Sequence, residues 1–191
     1  MIKIGIVGDI GSGKSFVAKQ FGSPVFNADY EVSKIYKNDK KCFKKLKNAF
    51  PKHISTFPIK KNEITRSILS NQNNLKKIIK IIHPIVRKKM NNFIFKNKKK
   101  NLIILDIPLL LENKINKKNY IIVFVDAKKK EITKNLKKRK NYNQKIIKIL
   151  KKFQLSLSYK KKKSDFTIKN NFKIESVKKN VKMLKNRILY K

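Results

Sequence analysis

The stretch GDIGSGKS, Gly8 to Ser15, follows the apolar run Ile4-Gly5-Ile6-Val7 and precedes Phe16-Val17-Ala18. Three of the chain's five glycines fall inside it. Gly8-x-x-x-x-Gly13-Lys14-Ser15 fits the phosphate-binding loop pattern, set between a predicted strand and a predicted helix, the context its mechanism requires. Glycines let the backbone curl so that several N–H groups point at one anion, backed by the positive end of the following helix. In such a loop Lys14 reaches the β- and γ-phosphates of a nucleotide and the Ser15 hydroxyl ligates Mg²⁺. The bland alternative, a chance glycine-rich turn in front of a helix, has no need of that register.

Working outward, the pattern alternates between strands and helices. Strands are expected at 2–7, 24–26, 102–105, 120–125 and 166–168. Leu102-Ile103-Ile104-Leu105 is uninterrupted apolar sequence, as in a strand covered on both faces of a parallel sheet. Helices are expected at 14–21, 30–50, 63–82, 85–95, 129–139, 143–153 and 173–190, with His83-Pro84 breaking the middle pair. This is an α/β chain with a mainly parallel sheet. In such sheets ligands bind beyond the carboxyl ends of the strands. Asp29 and Asp106 lie at predicted strand ends, and with the loop they are expected to converge on one crevice. Asp126, also at a strand end, precedes a helix and reads as its cap.

Composition bounds the rest. The 191 residues suffice for one substantial domain, and 40% are hydrophobic. No secretory signal is read at the start, and the apolar runs are too short to span a bilayer. The lone Cys42 excludes an internal disulfide and argues against a cysteine-based zinc site, so a cytoplasmic setting is expected. The formal charge of +40 suggests a polyanion partner, but only Arg66, Arg87, Arg139 and Arg187 among the 51 basic residues are arginine. Arginine is the residue suited to bidentate phosphate and base recognition. Lysine, isoleucine and asparagine make up 96 residues, half the chain, which is what an A+T-rich coding sequence supplies. The basic runs are dispersed (Lys98–Lys100, Lys128–Lys130, Lys160–Lys163) and form no single tail. No specific nucleic-acid partner is expected, only non-specific adhesion to polyanions at low salt.

Four segments together carry a family resemblance: GDIGSGKS, PVFNAD at 24–29, His83-Pro84 followed by Ile85-Val86-Arg87, and LDIPLLLE at 105–112. In order and spacing they resemble dephospho-coenzyme A kinase over nearly the whole chain. The resemblance implies a P-loop kinase-like three-layer α/β fold with a helical substrate-binding insert and a lid. Residues of about 1–29 and 101–191 would form the nucleotide-binding core, with the lid near 139–163, and about 30–100 the mostly helical substrate region. The implied reaction is transfer of the ATP γ-phosphoryl group, with Mg²⁺, to the ribose 3′-hydroxyl of dephospho-coenzyme A. The expected partners are these small molecules, with neither membrane nor nucleic acid, in a monomer or weak oligomer. The alternatives are another small-molecule P-loop kinase, of nucleotide or shikimate type, and a basic nucleic-acid-binding protein. The first would share the loop but not the DIPLLLE and His-Pro segments; the second would need clustered arginine and interleaved aromatics.

Residue by residue, the resemblance assigns Gly11, Ser12, Gly13, Lys14 and Ser15 to the ATP phosphates. Phe16 stands where a second hydroxyl residue is usual, leaving its backbone N–H to serve. Asp29 matches the aspartate that accepts the attacking hydroxyl's proton; the alternative is a helix cap before Tyr30. Asp106 matches an acidic position that contacts the metal, or else caps a structure near Pro108. Leu109, Leu110 and Glu112 continue the segment that borders the substrate. His83 is a structural or substrate-pocket residue, since phosphoryl transfer does not demand a histidine base. Arg87 holds a substrate phosphate or lies on a solvated helix face. Arg139 matches an arginine at the start of the lid, beyond which Lys151, Lys152 and Gln154 stand where further arginine is usual. Asn170 is the adenine-side candidate, with Lys169 replacing an acidic residue and Phe172 a glycine.

Overall fold

The computed structural model describes residues 1–116, 119–139 and 142–190. They divide into two compact units: residues 1–27, 96–142 and those from 151 onward in one, residues 28–95 and 143–150 in the other.

The first unit is built on a five-stranded sheet, parallel throughout, of β1 (Ile2–Gly8), β2 (Val25–Asn27), β3 (Leu102–Asp106), β4 (Tyr120–Asp126) and β5 (Phe166–Lys169). The order across the sheet is β2-β3-β1-β4-β5. Every residue of β3 is buried, which is why its sequence is continuously apolar instead of alternating. On one face α1 (Lys14–Gln20) and α9 (Ile174–Leu189) pack Val17, Ala18, Phe21, Val177, Val181, Leu184 and Ile188 against Ile4, Ile6, Ile104, Val123 and Val125. Val177, Val181, Leu184 and Ile188 recur at helical spacing, so one stripe of α9 seals that face. Each such side chain contributes about 1.5–3 kcal/mol by leaving water. The remaining elements of this unit are α6 (Lys129–Lys137) and α8 (Leu157–Lys162). Because all strands run one way, their carboxyl ends share one edge, and that edge receives the loop after β1 together with Asn27, Asp106 and Asp126.

The second unit is helical: α2 (Ala28–Asn38), α3 (Lys40–Ala49), α4 (Lys61–Ser70), most of α5 (Asn73–Lys96) and most of α7 (Gln144–Lys152). The single helix expected over 30–50 is two. Asp39 leaves the helical path and its carboxylate caps α3, accepting the Cys42 N–H at 2.8 Å. Burial, and then the charge of Asp39, push the buried Cys42 thiol up to about 11, so it stays protonated and unreactive at neutral pH. The break expected at His83-Pro84 does not occur; α5 runs straight through Pro84. The break comes at Asn71-Gln72, where Asn71 takes an extended conformation and its side chain accepts the Asn73 N–H. Pro84 costs α5 one hydrogen bond, but Leu75, Ile78 and Ile82 before it and Met90 after it are buried. Packing on both sides of the proline overrides the local preference. Among the described residues no helix is long and apolar enough to cross a membrane.

Candidate active site

The loop between β1 and α1 is shaped by contacts that leave no room for side chains. Gly13 caps α1 in the left-handed region, φ 84°, and a Cβ there would lie 2.3 Å from Asn170 Nδ2. Gly11, at φ 85°, is closed off in the same way by Leu136, 2.6 Å from where a Cβ would stand. The last turns of α6 thus rest directly on the loop. Between the two glycines Ser12 is fully buried; its carbonyl accepts Asn170 Nδ2–H at 2.8 Å and its N–H donates to the Asp9 carbonyl. Asn170 Oδ1 accepts the Phe172 N–H at 2.8 Å, which supports Phe172 at φ 61°, a conformation strained for a residue with a side chain. Both ends of the Asn170 amide are therefore engaged in holding the loop and the turn beside it. Phe16 packs its ring against the α1–α9 face of the sheet core, and its N–H lies in the first turn of α1, where helical amides have no carbonyl partner.

Lys14 Nζ reaches across the loop to the carbonyls of Asp9 (2.7 Å) and Gly8 (3.3 Å). The Asp9 carboxylate takes the Ile10 N–H at 2.7 Å and pairs with Lys151 Nζ at 3.0 Å. On the other side of the loop Ser15 Oγ donates to Asp106 Oδ2 at 2.5 Å. Asn27 Nδ2 donates to the same oxygen at 2.5 Å and to Ser15 Oγ at 3.2 Å. Asp106 is buried, so this carboxylate is solvated by side chains in place of water. The fold brings Ser15 and Asp106 together, and Asn27, which is absent from the residues singled out in the sequence, completes the cluster. Its signal was the register: Asn27 and Asp106 are paired residues of adjacent parallel strands.

Past β3 the chain turns back on itself, Leu110 N–H bonding to the Ile107 carbonyl and Ile115 N–H to that of Leu110. Leu110 is fully buried against the sheet at Gly5, leaving the half-exposed Leu109 as the side chain with a free face. Glu112 Oε1 accepts Lys160 Nζ at 2.8 Å and the Leu155 N–H at 3.1 Å. Arg139 follows α6, exposed, three residues beyond the Leu136 that rests on Gly11.

In the helical unit Asp29 is the second residue of α2 and exposed. The helix starts at Ala28, so Asp29 lies inside the first turn, and the alternative of a cap before Tyr30 does not match its geometry. His83 and Arg87 sit one turn apart on α5 and line a groove of about 590 Å³ with Lys80, Lys88, Asn91 and Asn92. Burial, and then the Arg87 guanidinium, hold the His83 pKa below its ordinary value, so the ring is neutral at pH 7. Pro84 is also in the wall.

The family model for dephospho-CoA kinase matches residues 2–176. A dephospho-CoA kinase from Wolbachia sp. subsp. Brugia malayi is 33% identical over 184 residues, covering 94% of each chain. Another, from Wolbachia pipientis wMel, is 35% identical over the same length and coverage. Among solved structures, TT1252 from Thermus thermophilus superposes with a TM-score of 0.75 at 24% identity, covering 98% of this chain and 97% of that one. Dephospho-CoA kinase from Campylobacter jejuni does so at 0.66 and 20%, with the same coverage. Shikimate kinase from Bacteroides thetaiotaomicron shares the fold at a TM-score of 0.53 and 12% identity, over 100% of this chain and 99% of that one.

Proposed function

The chain belongs to the dephospho-CoA kinase family, and from that premise we propose how its residues carry out the reaction. The activity is phosphorylation of the ribose 3′-hydroxyl of dephospho-coenzyme A by ATP, the last step of coenzyme A synthesis. The observation that carries the residue assignment is the loop itself: two glycines that neighbouring side chains keep bare, with Lys14 on one flank and Ser15, Asp106 and Asn27 on the other.

The loop amides and Lys14 hold the β- and γ-phosphates of ATP. Lys14 already bonds two loop carbonyls, so its ammonium exchanges those acceptors for phosphate oxygens without moving far. Ser15 Oγ and the Asp106 carboxylate are hard oxygen donors and fit Mg²⁺, which favours such donors and keeps several positions for water and phosphate. When bound there, the ion supplies charge neutralisation along the phosphate chain. Asn27 keeps the Asp106 carboxylate turned toward Ser15.

Asp29 orients the acceptor hydroxyl and takes its proton as the oxygen attacks phosphorus in line. Its exposure and its place two residues after Asn27 in the chain support that role over packing. The groove of His83, Arg87, Lys80 and Lys88 suits the anionic diphosphate of the acceptor, Arg87 supplying the planar fork. A neutral His83 offers it a hydrogen bond without adding charge. Leu109 borders the acceptor. Arg139 offers its guanidinium to charge on the transferred group. Asn170 acts on the nucleotide through the loop it holds. Segment 139–163 serves as the lid that keeps water from competing with the acceptor.

The test is an ATP-dependent assay with dephospho-coenzyme A, the product identified by mass and coupled to ADP release. Shikimate and nucleosides serve as control acceptors. Transfer to dephospho-coenzyme A alone is expected; preferential transfer to a control acceptor would reject the assignment.

A further inference from the structure

Lys160 opens a run of four lysines in a chain that has 47, yet it is 1% exposed. Its ammonium meets Glu112 Oε1 at 2.8 Å and Gln154 Oε1 at 3.1 Å. The same Glu112 oxygen accepts the Leu155 N–H. Leu155 and Lys160 thus converge on one carboxylate of the turn that follows β3, and Gln154 joins them through the Lys160 ammonium. The other oxygen, Glu112 Oε2, is buried without a hydrogen-bond partner among the described residues.

Such a pair is a poor device for stability. Taking both charges out of water costs about as much as their attraction returns, and an unpartnered buried oxygen adds to that cost. What a buried pair can supply is a unique arrangement of the segments that carry it. Six residues before Glu112 lies Asp106, bonded to Ser15. Three residues before Gln154 lies Lys151, whose carbonyl accepts the Gln154 N–H and whose ammonium pairs with Asp9 of the phosphate loop. The junction therefore ties together the two pieces of chain that flank the loop.

We propose that the Glu112–Lys160 pair is a clamp for phosphoryl transfer, and that Lys160 is a positioning residue that keeps segment 151–156 in register with the loop. The clamp rests on the kinase reading above. It holds Lys151 at the loop and closes the route by which water reaches the transferred phosphoryl group. Losing it lowers turnover, because misplacement by about 1 Å is enough to cost up to ~10²-fold. It also raises ATP hydrolysis relative to transfer, while affinity for dephospho-coenzyme A stays as it was.

The experiment compares the intact chain with the double variant Lys160→Met, Glu112→Gln, which leaves no unpaired charge buried. Thermal melting, kcat, KM for both substrates and acceptor-independent ATP hydrolysis are measured on each. The clamp predicts an unchanged melt, a kcat lower by about ten- to a hundredfold, unchanged KM values and a larger hydrolytic share. A folded double variant with normal kcat and coupling overturns it, and so does a change confined to the KM for dephospho-coenzyme A, which would make Glu112 a substrate contact only. Should the double variant fail to fold, Glu112→Gln alone decides by hydrogen exchange. Faster exchange at residues 154–160 together with lower kcat supports the clamp; unchanged turnover overturns it. Absence of transfer by the unaltered chain would overturn the kinase reading itself.

Discussion

Ser15 Oγ and Asp106 Oδ2 stand 2.5 Å apart although 91 positions separate them in the chain. The parallel pairing of β1 with β3 sets this up, since Ile6 is the register partner of Asp106 and the loop starts just beyond. A residue of helix α1 and a strand-end carboxylate are thereby brought to one point, with Asn27 as a third member. Asp106→Asn keeps the size and the pairing with Ser15 but removes the charge. Turnover is expected to fall by about 10²–10³-fold, the scale for losing one preorganised electrostatic group. The Mg²⁺ concentration for half-maximal rate should rise with it. A metal titration of kcat measures both, and an unchanged titration would leave Asp106 as a structural cap.

Asp29→Asn retains shape and most hydrogen bonding but lacks the basic lone pair. Loss of general-base assistance lowers the rate roughly 10²–10⁴-fold, with binding of ATP and dephospho-coenzyme A little altered. Asp29 is exposed, so the melting temperature should not move. Single-turnover rates beside a thermal melt give the answer. A fully active variant removes the base from this position.

Arg139 is exposed and, among the described residues, only its backbone is bonded. Arg139→Lys should therefore leave stability within about 0.5 kcal/mol. Lysine keeps the charge and loses the planar fork that grips two phosphate oxygens. The expected signature is a kcat that falls further than ATP affinity weakens. Equal kcat for the two proteins would make Arg139 one more solvated cation.

Glu63 gives the helical unit a dependence on acid. Burial alone would raise its pKa. Hydrogen bonds from the Ser55, Lys60 and Thr56 amides and the Ser55 hydroxyl outweigh burial and lower it. A carboxyl with a lower pKa when folded binds fewer protons than in the unfolded chain, so stability rises with pH through that window. The contribution is complete above the unfolded value near 4.5 and is lost as pH falls through the folded value. Glu63→Gln should cost about 1–3 kcal/mol at pH 7. The gap between the two proteins should narrow in denaturant melts as pH falls below the unfolded value.

Much of this architecture could be read from residue types. The apolar run of β3 announces a strand covered on both faces, and the glycine spacing announces the loop, because both are local consequences of the backbone. Boundaries set by tertiary contact were not legible. Pro84 reads as a helix break in isolation, and only the buried Ile82 and Met90 on either side show why α5 ignores it. Asp39 hides a cap inside an apparently continuous stripe. Lys160 is the plainest case: nothing in a lysine run tells which member is buried, and α8, which carries it, was not foreseen. The resemblance offers Asn170 only as an adenine-side candidate, and its contacts with Ser12 and Phe172 are visible only in the folded structure.

The loop that appears first in the chain is finished last. Its glycines are walled by Leu136 and Asn170, its serine is answered by Asp106, and β1 itself lies between β3 and β4. During synthesis residues 8–15 therefore precede Asp106, Leu136 and Asn170, the partners that close around them. The cradle cannot close until position 170 has cleared the exit tunnel. A chain truncated before Asn170 is therefore expected to gain no stability from added ATP, because the wall that closes the cradle is missing.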